Sequence, residues 1–225
     1  MAALVVAALA IVGCFAAGAF AWTLGEYLLH SSFHWAKGKG LASREHLGHH
    51  VRASWRFDPV LLLAWLGVVL VGAGLAWLGS RWVPSVVAFS FSAGWTVGYF
   101  FYEWHHRAAH LRGPRNRWER WLRINHFQHH FGHPTKNQQV TIPLWDHVFG
   151  TAYTADVVRV PRRLAMPWLL DEDGNLRPEF VGDYVIVGDD RSTTERGIAL
   201  DTARAFANLA PTSNDPASEV GARVR

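Results

Sequence analysis

The stretch Ala2–His34, AALVVAALAIVGCFAAGAFAWTLGEYLLHSSFH, carries no charged side chain before Glu26 and no proline anywhere. At 1.5 Å rise per residue its charge-free part alone exceeds a hydrocarbon core of about 30 Å. It reads as a transmembrane helix that continues past the membrane edge to His34. Two more charge-free intervals follow, from Asp58 to Arg81 and from Arg81 to Glu103. They predict a second helix over Pro59–Gly79 and a third over Val83–His110. The expected fold is therefore all-α, an integral membrane protein with about three transmembrane helices and a cytoplasmic helical cap. Hydrophobic residues make up 50% of the chain, yet mean hydropathy is only +0.03, so polar and apolar character are segregated along it.

Ile11-Val12-Gly13-Cys14 has the look of a lipoprotein processing site, but no Lys or Arg precedes the apolar run as a secretory leader requires. Cys14 is the single cysteine, which excludes an intrachain disulfide and a cysteine-based metal site. The net charge is +4 with a pI near 9.6, and its placement argues against nucleic acid. Lys37, Lys39, Arg44, Arg52 and Arg56 lie between the first two apolar runs. Arg107, Arg112, Arg115, Arg117, Arg120 and Arg123 follow the third. By the positive-inside rule both segments are cytoplasmic and the N-terminus lies outside. The excess of Arg over Lys suggests a bacterial origin, hence the inner membrane. Gly94 and Gly98 form a GxxxG pair that permits close helix approach.

Residues 1–151 are expected to form one membrane-embedded domain, with a helix near Asn116–His130. Residues 152–225 read as a cytoplasmic extension, with a short amphipathic helix at Asp201–Ala210 and about a dozen unstructured residues at the end.

Of the 13 histidines, ten fall into four tight groups: His30 and His34; His46, His49 and His50; His106 and His110; and His126, His129 and His130. Residues three and four apart share a helix face, so each group can aim its imidazoles at one point. No crossing separates the first two groups or the last two, and two crossings lie between these halves. All four groups therefore fall on the side that the arginines mark as cytoplasmic. Neutral imidazole ligates iron, zinc, copper and nickel. Ten rings are too many for one ion, and two metal ions sharing eight to ten nitrogens is the natural arithmetic.

The motifs resemble the fatty acid hydroxylase branch of the fatty acid hydroxylase/sterol desaturase superfamily. Glu26–His34 resembles its first histidine box, His46–His50 (HLGHH) its second, Tyr102–His110 (YEWHHRAAH) its third, and His126–Phe131 its fourth. Leu144–Thr151 (LWDHVFGT) is similar to its closing segment. The resemblance covers roughly residues 20–151. It implies that the ten clustered histidines are metal ligands and catalytic residues of a di-iron centre, with zinc able to replace iron in recombinant protein. It also implies a lipid substrate and a separate electron donor (ferredoxin, cytochrome b5 or a reductase). The rival readings are a carotenoid or sterol-type hydroxylase or desaturase on the same site, and a membrane metal-handling protein.

Beside the clusters, His105 points about 100° from His106 on a helix and is expected to serve a headgroup or support role. His133 is a candidate substitute ligand, and His147 reads as structural. Glu26 is a candidate to orient a ligand imidazole, or equally a partly buried acid satisfied at the membrane edge. Asp146 and Trp145 read as holding the segment against the site, and Asn125 and Asn137 as candidate water holders.

Overall fold

A computed structural model of the protein describes residues 1–52, 57, 59–188 and 195–211. Among these, seven α-helices form in the order α1 (Ala2–Ala36), α2 (Leu41–Arg52), α3 (Pro59–Gly79), α4 (Ser85–Leu111), α5 (Arg117–Phe131), α6 (Leu144–Val148) and α7 (Glu195–Phe206). Two candidate membrane spans are found among the described residues, α1 and α3. The third expected crossing does form one helix of 27 residues, α4, but its sequence is less apolar and includes Glu103 and Arg107. Two helices are longer than a hydrocarbon core is thick. At 35 residues α1 is about 52 Å long, roughly four turns beyond a core of about 30 Å. α4 exceeds it by about two turns. The C-terminal turns of these helices carry the histidine pairs His30/His34 and His106/His110.

The chain divides into two compact units, one of Met1–Leu28 with Arg56–His105 and one of Leu29–Trp55 with His106–Arg225. In the first, small residues let the helices touch backbone to backbone. A Cβ at Gly94 would lie 1.9 Å from the Phe15 carbonyl oxygen, and one at Gly18 would lie 1.9 Å from that of Phe91. Gly98 makes room for the Trp22 side chain, and Gly72 of α3 for that of Thr96. Trp22 is buried, with its ring edge-on to Trp95 and Tyr99 at centroid distances of 5.0 and 5.2 Å. The GxxxG pair of α4 thus packs against α1.

The second unit is held by polar groups as much as by apolar ones. α5 starts where Asn116 accepts the Glu119 backbone N–H at 2.8 Å. The Glu119 carboxylate takes both arms of the Arg112 guanidinium, at 2.6 and 2.7 Å. That bond, followed by smaller effects from Arg115 and Arg123, lowers its pKa to about 2. Arg123, 1% exposed, donates to the carbonyls of Ala108, Arg112 and Glu119. The last turn of α4 is thereby fixed to the first turns of α5, which sets the angle between two histidine-bearing helices.

Residues 152–188 depart from the all-helical expectation. Val158–Pro161 (β1) pairs in parallel with Tyr184–Val187 (β2), and three short 3-10 turns lie between them. Val160, Met166, Leu169 and Phe180 are buried there, and Trp168 donates its indole N–H to the Ala109 carbonyl at 2.9 Å. Four-residue strands with one covered face give too short an alternation to read from sequence. The helix expected at Asp201–Ala210 instead runs from Glu195 to Phe206, because Asn208 takes a left-handed φ of 58° and ends it. The expected unstructured final residues lie outside the described ones.

Replacing Gly94 with Val forces side-chain atoms into the backbone of α1, whereas a Cβ at Gly13 meets nothing within 4 Å. Gly94→Val should cost about 1–3 kcal/mol or more, read as a lowered thermal transition in detergent. Gly13→Val should leave that transition within experimental scatter.

Candidate metal centre

Four helices deliver the ten clustered histidines, and the structure gathers them into two groups of five. One is His30, His34, His46, His50 and His129; the other is His49, His106, His110, His126 and His130. Within each group one nitrogen per ring lies within 4.8 Å of all the others. The construction is the same in both. Each takes an i, i+4 pair from a long apolar helix (His30/His34 of α1 or His106/His110 of α4). Each adds an i, i+4 pair from a short helix (His46/His50 of α2 or His126/His130 of α5) and one ring from the other short helix.

The pairs His30/His34 and His106/His110 each aim at a single point as expected, whereas the two groups of three do not. Neighbouring residues on a helix diverge by about 100°, so the adjacent pairs His49-His50 and His129-His130 each straddle the two groups. The rings of His50 and His130, in different groups, stack at 4.2 Å with 16° between planes. Among the described residues His105, His133 and His147 stand outside both groups. His105 packs on Phe101, His133 lies edge-on to Tyr153, and His147 is exposed on α6.

In the first group the outer ring nitrogens are pinned. Nδ1 of His30 donates to the Gln138 carbonyl. Nδ1 of His129 donates to the Lys136 carbonyl at 2.7 Å, and that of His34 donates to Oδ1 of Asn208 at 3.0 Å. A carbonyl oxygen only accepts, so each Nδ1 holds the proton and each Nε2 presents a bare lone pair inward. Yet the Nε2 atoms of His34 and His129 are 3.3 Å apart. Two lone pairs at that distance repel, and a cation between them removes the conflict.

The spacing fits such an ion. Nε2 neighbours in the first group are 2.9 Å apart for His34–His46, 3.1 Å for His30–His46 and His50–His129, and 3.2 Å for His46–His50. In the second they are 2.9 Å for His110–His126 and 3.1 Å for His49 with His106 and with His110. Two nitrogens bound at right angles to one ion at about 2.1 Å would be about 3.0 Å apart. Among the described residues, His130 has both ring nitrogens buried without a hydrogen-bond partner, as does His126 at Nδ1. Leaving such groups unpaired is costly, and a metal ion would take up the inner nitrogen of His130.

The loop after α5 supplies two of the three acceptors and is itself tethered. Asp146 of α6 accepts the backbone N–H groups of Gln138 and Gln139 at 2.8 and 2.9 Å and the Thr151 hydroxyl at 2.7 Å. Asn125 donates to the Gln139 carbonyl at 2.8 Å, and Asn137 bridges to Tyr153. Asn125 and Asn137 thus brace the loop. The acceptor on Nδ1 of His30 is the Gln138 carbonyl. Asn208 lies beyond every motif and was not singled out; no local pattern announces a lone Asn that acts across 174 residues.

A family model described as Fatty acid hydroxylase matches residues 15–151, a span that holds all ten clustered histidines. Fatty acid 2-hydroxylase of Macaca fascicularis and that of Homo sapiens are each 29% identical to this chain over 154 residues, covering 62% of it. The matched region is 39% of the length of each relative. No solved structure gives a significant match.

Burial, followed by mutual repulsion of the imidazolium forms, pushes His46, His50, His126, His129 and His130 well below the usual 6.5. They are neutral at pH 7 and ready to ligate. In metal-free protein the unfolded chain takes up protons below pH 6.5 that the folded chain refuses, so stability is kept above that pH and falls below it. Thermal unfolding of metal-stripped protein from about pH 8 to about pH 5 should show a transition temperature that drops below about pH 6.5. A flat profile would mean that the rings are not buried together.

Proposed function

Because this chain belongs to the fatty acid hydroxylase family, we propose that it is a membrane-bound di-iron oxygenase that hydroxylates a long-chain fatty acyl or related lipid. The observation that carries the reading is the pair of five-histidine groups within the family-matched segment. All ten histidines are assigned as ligands, five to each ion. Iron is preferred to zinc because attack on an unactivated C–H bond needs a metal that changes oxidation state. When bound, the ions supply the activation of O2 that side chains cannot perform.

The remaining work falls to the protein. The carbonyls of Gln138 and Lys136 and the Asn208 amide hold three imidazoles in the tautomer that ligates. Burial of the rings keeps bulk water from the reacting centre. The overall change is C–H plus O2, two electrons and two protons giving C–OH and water. The electrons come from a separate donor, a ferredoxin, cytochrome b5 or reductase. The histidine groups follow the apolar stretches of α1 and α4 directly in sequence, where an acyl chain in the bilayer can present its methylenes to the metals. In this reading α1, α3 and α4 cross the membrane, with the N-terminus outside and the histidines and C-terminus in the cytoplasm.

Two measurements test this. Reporter fusions at Gly79 and Arg225 should report opposite sides of the membrane; finding both on one side removes the topology. Membranes containing the protein, given isotope-labelled O2 and a reductase system, should yield a lipid that gains one labelled oxygen atom. Loss of two hydrogens without label would make the protein a desaturase. Label in carotenoids or sterols alone would move the substrate and leave the metal chemistry intact.

A further inference from the structure

Beyond the family-matched residues 15–151, α7 and the turn after it reach back to the first histidine group. Nδ1 of His34 donates to Oδ1 of Asn208 at 3.0 Å, and Nδ2 of Asn208 donates to the His34 carbonyl at 3.1 Å. The second bond fixes which end of the amide faces the ring. With the amide so oriented, the ring must carry its proton on Nδ1.

The placement of Asn208 is itself secured. Asp201 of α7 forms a buried ion pair with Arg163, whose Nε lies 2.9 Å from Oδ2. Phe206 sits against Gly38, where a Cβ would come within 2.3 Å of its ring. Gly38 has φ +81°, so both space and backbone conformation call for glycine there. The buried Ser43 hydroxyl accepts the Gly38 N–H and donates to the Phe33 carbonyl, which ties this turn to the end of α1. After Phe206 the chain turns, with the Asn208 N–H bonded to the Ala205 carbonyl at 2.9 Å. The left-handed conformation at Asn208 is one that asparagine accepts more readily than most residues.

We propose that Asn208 is a positioning residue for the metal centre, supplied from outside the family segment, that sets the tautomer and orientation of His34. The inference rests on the metal-centre reading above. His30 and His129 obtain the same service from backbone carbonyls of the 136–139 loop, whereas His34 obtains it from a side chain, which substitution can remove. Without Asn208 the outer nitrogen of His34 loses its fixed acceptor. The ring is then free to turn or to shift its proton to Nε2, and an Nε2–H cannot ligate. The loss falls on one ion only, because His34 belongs to one group.

The test uses full-length protein in detergent. Asn208→Gly removes the side chain while accepting the positive φ, and Asn208→Asp keeps an acceptor for Nδ1. With zinc(II) bound, one of the two ions should leave to a chelator about 10–100-fold faster in the Gly variant. The other ion should leave at the wild-type rate, and the Asp variant should restore most of the retention. Two ions leaving at wild-type rates, or both accelerated equally, would overturn the assignment. Nitrogen-15 NMR of histidine in metal-free protein gives a readout that does not need the metal, with the His34 signal identified by its loss in His34→Gln. It should report an Nδ1–H tautomer in wild type and in the Asp variant, and a tautomer mixture in the Gly variant. A fixed Nδ1–H tautomer in the Gly variant would overturn the proposal whatever the zinc result. Failure of the wild-type protein to hold two ions would count against the metal-centre reading instead.

Discussion

Inward-facing lone pairs that cannot satisfy one another are the constraint on which this structure turns. Once Nδ1 of His30, His34 and His129 is committed to an oxygen, their Nε2 atoms can only accept. Packing them with further imidazoles into a sphere of a few ångströms is unfavourable in the absence of a cation. Coordination of a cation would make the packing favourable, and its free energy would then become part of the folding free energy. The length of α1, the Glu119–Arg112–Arg123 network and the Asp146 tether all act to bring rings to that place. The small residues that draw α1 and α4 together at Gly18 and Gly94 serve a separate need, close packing inside the apolar unit.

The pattern of helices was open to reading because membrane length and helical periodicity are strong constraints. Charge-free runs located α1, α3 and α4 to within a few residues, and the helix expected near Asn116–His130 forms as α5. The ten clustered histidines were visible as spacing alone. Their partition was not. His49 and His50 are neighbours in sequence but belong to different groups, since the direction each ring takes depends on how α2 is rotated against the other helices. Spacing within one segment contains no information about that rotation.

The outer contacts were harder still. Backbone carbonyls at Lys136 and Gln138 act irrespective of their side chains, so nothing in the residue names points to them. Asp146 could be singled out because it lies in the LWDHVFGT segment, and its carboxylate orders the loop that presents those carbonyls. The short β1–β2 pairing belongs to a region whose composition reads as loop, and Asn208 lies inside a stretch that reads only as a short amphipathic helix. There the order comes from long-range pairs such as Arg163–Asp201 and Arg120–Asp183, which single-sequence periodicity does not register.

The central claim is that each group of five histidines encloses one metal ion. Diffraction from crystals of the purified, metal-loaded protein, measured on either side of the metal absorption edge, tests it most directly. The account predicts two anomalous peaks per chain, one within bonding distance of His30, His34, His46, His50 and His129 and one within bonding distance of His49, His106, His110, His126 and His130. A single peak at full loading, or two peaks away from these rings, would contradict it.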